Sequence, residues 1–561
     1  MMPAKPQTLV EALATLPRGR ERGFTFLGLD RKERFYAWED LEREARRRAA
    51  LLTGLGLQKG DRLAVVVAEP HEFVLSFLAS VVAGIVPVPI YPRASFKARN
   101  AYVETVRHIV RASGARGLVT LDNTRPVIEE VLEDGTELEH LIILDDFLQG
   151  EPTPAQLDEL PEPEMDEICF LQFTSGSTSM PKGVVVTHAN LKANADAFLG
   201  PKGLMRTVDD IALAWLPLYH DMGLIGFVLA TILHDLKTVL IPTESFARRP
   251  GMWMQAMHDY KATITFAPNF AYGLAAKRTR DKDLETMDLS AVRIAGCGAE
   301  PINPEVMRTF ADRFAPAGFR AEALMPAYGM AEATLAISFH PRMTPLVTDR
   351  VDSAALQAGR AEPAEPGQDS VELISCGYAF PEHEVRIVDA DGNTLAERLV
   401  GEIATRGPSV TSRYYENEQA SGEAFRDGWL HTGDQGYMAG GRVYVCGRIK
   451  DLIIIRGANH YPQDIEWAVS TVEGVRRDNV IAFSVMRDGE ETLIVAAEGN
   501  SSDAAELRKT IAARVMETNS LAVGHVAVVK VGSLPKTSSG KVQRRRTKQL
   551  FESGELEEHP A

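Results

Sequence analysis

The sequence predicts an α/β protein in which a large N-terminal domain of helix-covered parallel or mixed sheets precedes a small α+β domain. At 561 residues the chain is too long for one compact core, so more than one domain is expected. Short β-branched runs alternate with helical patterns along most of the chain, and this pattern changes after Gly447–Asp451. We therefore predict a first domain over residues 1–448 and a second over residues 449–561.

Individual elements of the first domain can be placed from its apolar runs. Helical patterns such as Trp38–Leu52 and Asn100–Ser113 lie between short buried strands. The long apolar run Phe73–Ile90 contains Pro87 and Pro89, which favours a buried helix followed by a buried strand over a membrane span. Alternation of this kind predicts a parallel sheet covered by helices. The strands are predicted at Leu63–Val67, Gly117–Thr120, Leu141–Leu144, Thr238–Ile241 and Thr263–Phe266.

The C-terminal segment has the pattern of a small α+β unit. Leu452–Ile455 predicts a strand, and Pro462 suits the first turn of a helix that has Ile465, Val469 and Val472 on one face. The turn Asp488-Gly489 predicts a hairpin of two strands, and the spacing of three later apolar residues predicts another helix. The remaining predicted elements are the hairpin strands Val480–Val485 and Thr492–Ala497, the helix with Leu507, Ile511 and Val515, and the strand Val526–Val531 before a basic tail.

Composition excludes several classes of function. The apolar content is 45% and the formal net charge is −16, which is ordinary for a globular protein and unfavourable for non-specific nucleic-acid binding. Residues Met1–Leu16 lack the continuous apolar core of a secretory signal. The cysteines show no C-x-x-C spacing, so we expect no zinc site and no disulfide framework, and a cytoplasmic location. They are Cys169, Cys297, Cys376 and Cys446.

The segment Phe173–Val184 is rich in serine, threonine and glycine and contains Lys182. Glycine allows a ligand close to the backbone, successive amides can bind an anion, and a lysine adds a mobile positive charge, so a polyphosphate is a suitable partner. A flexible linker has the same composition. Neither Gly176 nor Gly540 has the spacing of a Walker A sequence, which disfavours an ordinary GTPase or motor ATPase.

Six further motifs follow this segment in order. Together the seven resemble, over nearly the whole chain, the signature motifs of adenylate-forming enzymes. The resemblance implies the fold of that superfamily, with ATP and Mg²⁺ as cofactors. The six motifs are Leu216–Gly223, Gly296–Pro301, Ala327–Thr334, Gly428–Asp434, Gly447–Asp451 and Leu534–Lys541.

The resemblance assigns roles to single residues. It implies catalytic roles for Lys541, His220 and Glu332, with Glu332 and Thr178 as Mg²⁺ ligands and Lys450 as the hinge of a mobile small domain. Lys541 would bridge the acyl carboxylate and the α-phosphate. His220 would be a gate or a polar contact near that carboxylate, although a structural histidine fits the sequence as well. The implied ATP- or AMP-binding residues are Thr174, Ser175, Gly176, Ser177, Thr178, Lys182, Gly298, Ala299, Glu300, Ala327, Tyr328, Gly329, Met330, Asp434 and Arg448.

Three of these residue types suit a nucleotide on chemical grounds. Tyr328 offers a flat ring for adenine, and Asp434 can accept hydrogen bonds from both ribose hydroxyls. A single carboxylate such as Glu332 suffices for Mg²⁺, which takes much of its coordination from phosphate oxygens. Taken alone, each residue fits a structural role too: a core tyrosine, a turn aspartate or a solvated glutamate.

Within the superfamily the chain most resembles fatty acyl-AMP ligases. The implied acyl pocket contains Asn269, Phe270, Tyr272 and Gly273. The stretch from about 343 to 370 resembles an insertion that is taken to hinder the use of CoA, although a surface loop without mechanistic role is the alternative. Such ligases pass the acyl group to the phosphopantetheine thiol of an acyl carrier protein. We expect this carrier to be a separate protein that meets the basic tail, Lys536, Lys541, Arg544, Arg545, Arg546 and Lys548.

Three alternatives stay open at the level of sequence. A fatty acyl-CoA synthetase is the principal one. An amino-acid-activating module is disfavoured because Leu216–Gly226 lacks the aspartate pattern that holds an α-amine. A nucleotide-binding protein without activity is disfavoured by the intact residues Glu332, Asp434 and Lys541.

Overall fold

The computed structural model describes residues 7–28, 32–92, 99–132, 138–174, 180–455, 458–487, 490–500, 504–537 and 541–560. Over these residues it shows an α/β fold whose sheets are flanked by helices. The α-helices of the larger part are Leu9–Thr15, Trp38–Gly54, Pro70–Val82, Arg99–Ser113, Arg125–Leu132, Leu144–Phe147, Pro154–Asp158, His188–Leu199, Asp221–Leu224, Ala230–Leu233, Thr243–Arg248, Met252–Asp259, Asn269–Arg278, Asp281–Leu284, Pro304–Phe314, Ser353–Gln357 and Glu418–Ala424.

The largest sheet formed by the described residues has nine strands. Its central strands are parallel, and antiparallel strands close both edges. The central strands are buried on both faces and therefore read as continuous apolar runs, whereas the edge strand Glu33–Ala37 is largely exposed. In spatial order they are Tyr378–Ala379, Ala336–Phe339, Leu324–Gly329, Ile294–Cys297, Ile264–Ala267, Ile211–Ala214, Lys237–Leu240, Gly23–Leu27 and Glu33–Ala37.

A second sheet is wholly parallel, as the alternation of strands and helices predicts. Gly117–Thr120 has the predicted bounds, and the run Phe73–Ile90 forms the helix Pro70–Val82 and a buried strand. The predicted helix at Trp38 extends to Gly54, with Leu41, Ala45 and Ala49 buried on one face. The strands, in spatial order, are Val86–Pro89, Arg62–Val66, Gly117–Thr120 and His140–Ile143.

Two antiparallel units complete the larger part of the chain. The hairpin Ile168–Phe173 and Gly183–Thr187 encloses the serine- and threonine-rich motif, of which residues 175–179 lie outside the described residues. A twisted antiparallel sheet carries the later motifs. Its strands are Glu384–Val388, Gly401–Arg406, Phe425–Arg426, Trp429–Ala439 and Arg442–Arg448.

The segment 341–370, which the sequence likens to an insertion, contains regular secondary structure. Strands Thr348–Asp352 and Ser370–Ile374 pair antiparallel around the short helix Ser353–Gln357. Few apolar side chains are enough to stabilise this segment, because they pack in one buried cluster with side chains of the neighbouring sheet. This cluster contains Val351, Leu356, Ala361, Leu373, Tyr437, Ala439, Tyr444, Cys446 and Tyr461.

The elements after Gly447 follow the predicted α+β pattern. The predicted helix faces are buried at Ile465, Val469, Ile511 and Val515, in a cluster of their own. The predicted Asp488-Gly489 turn lies outside the described residues, and the strands on either side of it pair antiparallel. The elements are strands Ile453–Ile455, Ala458–His460, Val475–Arg487, Glu490–Gly499 and Val523–Val529, and helices Pro462–Ser470, Ala504–Asn519 and Arg544–Glu552.

Candidate active site

The predicted nucleotide-site residues that the structure describes meet at the carboxyl ends of the parallel strands of the nine-stranded sheet. Strands Ile264–Ala267, Ile294–Cys297 and Leu324–Gly329 run parallel, so the segments that follow them emerge together. One of these segments holds Ala299 at a φ of 67°, a left-handed conformation that non-glycine residues rarely adopt. At Gly329, an added Cβ would lie 1.9 Å from the Leu335 carbonyl oxygen, so only glycine fits there.

Tyr328, Asp434 and Arg448 form a connected group. The Tyr328 hydroxyl donates to Asp434 Oδ2 at 2.8 Å, and Arg448 Nε lies 3.2 Å from Asp434 Oδ1. Asp434 is 7% exposed; burial raises the pKa of its carboxyl, and the Arg448 charge opposes that rise. Each carboxylate oxygen keeps a second lone pair for a further donor such as a sugar hydroxyl.

Glu332 is held in a short 3₁₀ turn, Ala331–Ala333, after the central strand Leu324–Gly329. Its main-chain carbonyl accepts from the Thr411 amide at 2.9 Å and from the Thr411 hydroxyl at 3.0 Å. Its carboxylate Oε1 accepts from the Tyr414 hydroxyl at 2.7 Å. The side chain is 8% exposed, and burial raises the pKa of the carboxyl. A nearby cation would restore its charged form.

Lys541 reaches the same strand ends from the C-terminal part of the chain. Its ammonium donates to the Ala299 carbonyl oxygen. Its backbone is held by Thr537, whose hydroxyl accepts from the Lys541 amide at 3.1 Å. Burial lowers the pKa of Lys541, while the charges of Glu300 and Asp221 raise it. The Lys541 ammonium therefore lies at the Ala299 carbonyl oxygen, within electrostatic range of the Glu300 and Asp221 carboxylates.

His220 lies beside this cation. Burial, together with the Lys541 charge, lowers the pKa of His220 to about 4, so its imidazole is neutral at pH 7. A neutral imidazole can donate a hydrogen bond to a substrate carboxylate, while Lys541 supplies the positive charge that neutralises this carboxylate.

The phosphate-loop candidates are only partly described. Ser175, Gly176, Ser177 and Thr178 lie outside the described residues. At the two ends of the loop, the Thr174 amide donates to the Lys182 carbonyl oxygen at 3.0 Å. The ammonium of Lys182 lies 4.9 Å from the centre of the Tyr414 ring.

An apolar cavity opens at this edge of the sheet. Its mouth is lined by Asp221, Gly298, Ala299 and Tyr328, next to the Lys541 ammonium. Its walls come from the helix His188–Leu199, the π-helical turn Ile225–Leu229 and the parallel strands. The main apolar wall residues are Phe198, Leu199, Leu204, Phe227, Leu236 and Phe266. A carboxylate at the mouth with an apolar tail inside would fit this arrangement.

Residues 20–415 match the family model described as AMP-binding enzyme. The chain belongs to the AMP-binding enzyme family. Residues 450–560 match a second model, described as Disco-interacting protein 2-like, AMP domain. Fold class and family, as predicted from the sequence, are therefore confirmed.

Similar proteins cover nearly the whole chain. A putative acyl-CoA synthetase from Caulobacter vibrioides is 36% identical, over 90% of this chain and 88% of its own. A long-chain-fatty-acid–AMP ligase, FadD26, from Mycobacterium marinum is 34% identical, over 96% and 95%. A structure from a study of fatty acyl-adenylate ligases from E. coli and L. pneumophila is 34% identical, with a TM-score of 0.91, and covers 98% of each chain.

The acyl-pocket residues predicted from the sequence follow shortly after Phe266, which lines the apolar cavity, and their role stays a prediction. None of Asn269, Phe270, Tyr272 and Gly273 lines the apolar cavity. Tyr272 is fully buried, packs on Trp253 and Phe310, and donates to the Gly296 carbonyl oxygen at 2.7 Å. The helix Asn269–Arg278 packs against Pro304–Phe314, so these side chains lie in the contact between two helices.

A loop that contains Leu204 forms part of the cavity wall and is held by hydrogen bonds. Leu204 lines the cavity, and its carbonyl oxygen accepts from Arg293 at 2.8 Å. Arg293 also pairs with Asp210, whose side chain is 3% exposed. Asp210 further accepts from Thr263 at 2.7 Å. These hydrogen bonds hold the backbone of Leu204 beside the cavity.

The basic tail is not uniformly exposed, which corrects one part of the predicted carrier surface. Arg544 donates to Asp451 at 2.7 Å and to Glu466 at 2.6 Å, and its side chain is 18% exposed. Arg545 and Arg546 are exposed. Asp451 directly follows the predicted hinge Lys450, so Arg544 ties the hinge segment to the last helix.

Sequence reasoning did not find Tyr414, Thr411, Arg293 or the apolar wall of the cavity. Tyr414 and Thr411 lie between motifs, and the wall residues are ordinary core hydrophobics in a sequence. The pattern S-R-Y-Y at 412–415, with adjacent aromatic residues shortly before a helix, is the local signal for Tyr414.

Among the described residues, no cluster of three or more His, Cys, Asp or Glu side chains is arranged to hold a metal. None of the described helices combines the length and apolar character needed to cross a membrane.

Proposed function

We propose that this enzyme activates a fatty acid with ATP to an acyl adenylate and then transfers the acyl group to the phosphopantetheine thiol of a separate acyl carrier protein. The observation that carries the proposal is the apolar cavity, whose polar mouth lies beside Lys541 and Asp221. The printed names of similar proteins, a fatty-acid–AMP ligase and fatty acyl-adenylate ligases, support an acyl substrate.

In the first step a carboxylate oxygen of the acid attacks the α-phosphorus of ATP, and pyrophosphate leaves. This chemistry needs positioning and charge neutralisation more than covalent catalysis. Lys541 supplies a cation at the cavity mouth, where the carboxylate and the α-phosphate would meet. Asp434, held by Tyr328 and Arg448, would accept hydrogen bonds from the ribose hydroxyls.

The buried carboxylate of Glu332 fits a hard divalent cation. We propose that Glu332, with phosphate oxygens and Thr178, holds Mg²⁺. Bound there, the ion would neutralise the charge of the phosphates.

In the second step the carrier's thiol attacks the acyl carbonyl carbon, and AMP leaves. We propose that the small domain, residues 449–561, turns about Lys450 between the two steps. The exposed pair Arg545 and Arg546 is the part of the basic tail that we propose to meet an acidic carrier.

The choice of carrier protein over CoA rests on the segment 341–370. Its hairpin packs in one cluster with Tyr437 and Tyr444 of the larger part and with Tyr461, which follows the hinge. Tyr461 also donates to Gln435 at 3.2 Å. We propose that the hairpin, in this position next to the small domain, hinders the arrangement that CoA would use.

A fatty acyl-CoA synthetase is the second candidate, favoured by the name of the Caulobacter vibrioides relative. One experiment separates the two: ATP, Mg²⁺ and fatty acids of graded length are incubated with either CoA or a phosphopantetheinylated carrier protein. We expect acyl adenylate with every effective acid, and thioester on the carrier alone. Efficient synthesis of acyl-CoA would establish the second candidate, and failure to release pyrophosphate with any acid would refute both.

A further inference from the structure

Tyr414 links two groups of the candidate phosphate site. Its hydroxyl donates to Glu332 Oε1 at 2.7 Å, and the Lys182 ammonium lies 4.9 Å from the centre of its ring. The Tyr414 side chain is buried at 7% exposure. One side chain therefore contacts an anion through its edge and a cation through its face, which matches the charge distribution of a phenol.

The backbone of Tyr414 is fixed relative to the phosphate loop. Tyr414 forms a β-bridge with Val184, at the start of the strand that leaves the loop. The Tyr415 amide donates to the Gly183 carbonyl oxygen at 2.7 Å, and the Val185 amide to the Arg413 carbonyl oxygen at 3.3 Å. The Tyr414 ring therefore has little freedom to follow Glu332 or Lys182 if either of them moves.

The hydrogen bond from Tyr414 acts on the Glu332 side chain alone. The Glu332 main chain is held separately by Thr411, through its amide and its hydroxyl. The Tyr414 phenol is the donor in this bond, because an ionised carboxylate can only accept. A donated hydrogen bond favours the charged form of the buried Glu332 carboxylate.

We infer that Tyr414 is a positioning residue that fixes the relative positions of the Glu332 carboxylate and the Lys182 ammonium on the phosphate side of the site. This inference rests on the proposed function, because it assumes that Glu332 binds a divalent cation with ATP. Tyr414 acts through these two neighbours and does not itself contact the reacting atoms.

Two substitutions separate the two contacts. Tyr414→Phe keeps the ring under Lys182 and removes the hydroxyl that contacts Glu332. Tyr414→Leu removes both contacts. Tyr415→Phe is the matched control, since it deletes the neighbouring hydroxyl from a ring that packs against a different cluster.

The primary measurement is Mn²⁺ binding to the enzyme–ATP complex without fatty acid, followed by electron paramagnetic resonance. Tyr414→Phe should weaken Mn²⁺ binding about tenfold, the effect of losing a hydrogen bond to a charged group. The affinity for ATP without metal should be unchanged in Tyr414→Phe and reduced in Tyr414→Leu, and Tyr415→Phe should match the wild type in both measurements. The Mg²⁺ concentration for half-maximal ATP–pyrophosphate exchange should rise in parallel.

The outcomes distinguish this role from the proposed function. Wild-type Mn²⁺ binding and an unchanged Mg²⁺ requirement in Tyr414→Phe would overturn the role of Tyr414, while exchange by the wild-type enzyme would leave the proposed function standing. If the wild-type enzyme fails to catalyse ATP–pyrophosphate exchange with every fatty acid tested, the proposed function is overturned. The role of Tyr414 is then overturned with it.

Discussion

Substituting Gly226 by residues with larger side chains, which would fill part of the apolar cavity, tests where the acyl chain binds. Gly226 lies in the π-helical turn Ile225–Leu229 and lines the cavity. A Cβ added there would lie 3.5 Å from Leu335 Cδ2, an ordinary van der Waals distance, so Gly226→Ala should be tolerated. Gly226→Leu extends three further carbon atoms into the space that an acyl chain would occupy.

The expected effect follows from the burial that a long acid loses. Displacing about three methylene groups at about 0.8 kcal/mol each costs about 2.4 kcal/mol, or roughly 50-fold in kcat/KM. A short acid whose chain ends before Gly226 loses no contact and should keep its rate. Gly226→Ala should fall between the wild type and Gly226→Leu for long acids.

The assay is ATP–pyrophosphate exchange with fatty acids of graded length. Gly273→Leu is the matched control, because Gly273 belongs to the acyl pocket predicted from sequence but faces Val306, at 3.6 Å from an added Cβ. It should leave the chain-length profile unchanged. A profile that shifts with Gly273→Leu and not with Gly226→Leu would refute the placement of the chain in this cavity.

Four further predictions concern the C-terminal part. Lys541→Ala should lower the rate of adenylation by about 10²- to 10³-fold in a folded protein, the cost of removing one donor aimed at transition-state charge; wild-type rates would contradict the role of Lys541. Because burial lowers the pKa of Lys541, the wild-type rate should fall as the pH rises through that lowered value, below the usual lysine range, and Lys541→Arg should move this fall to higher pH in a pH–rate profile. Arg544→Ala should lower the free energy of unfolding by about 2 kcal/mol in a urea titration, since Asp451 and Glu466 both lose a charged donor. Arg545→Glu with Arg546→Glu should spare stability and acyl-adenylate formation while slowing carrier loading; equal loss of both steps would exclude a carrier-binding role.

Much of the site could be predicted because its chemistry lies in short motifs. Glu332, Asp434 and Lys541 each stand in a quoted motif, and the structure brings all three to the same sheet edge. The contacts between motifs could not be predicted. The bond from Tyr328 to Asp434 joins residues 106 positions apart, and that from Lys541 to Ala299 joins residues 242 apart. Hydrophobic periodicity reports on residues that are close along the chain, and it does not predict contacts between residues so far apart.

The side-chain contacts of several predicted residues could not be derived from the sequence. Tyr272 stands in an apolar segment near the site, and its ring packs against Trp253 and Phe310. Arg544 reads as one member of a basic run, yet two carboxylates enclose it. Local sequence does not reveal which face of a helix meets another element when its apolar residues do not gather on one face, as in Asn269–Arg278.

The sequence by itself determined the fold class through local periodicity, and it indicated the family through the resemblance of its seven motifs to those of known enzymes. Only the tertiary structure decided where the cavity lies, that residues 341–370 fold into a hairpin, and that Tyr414 contacts both Lys182 and Glu332. The physical reason is that cavities and buried polar contacts arise between elements distant in the chain, where packing chooses the partners.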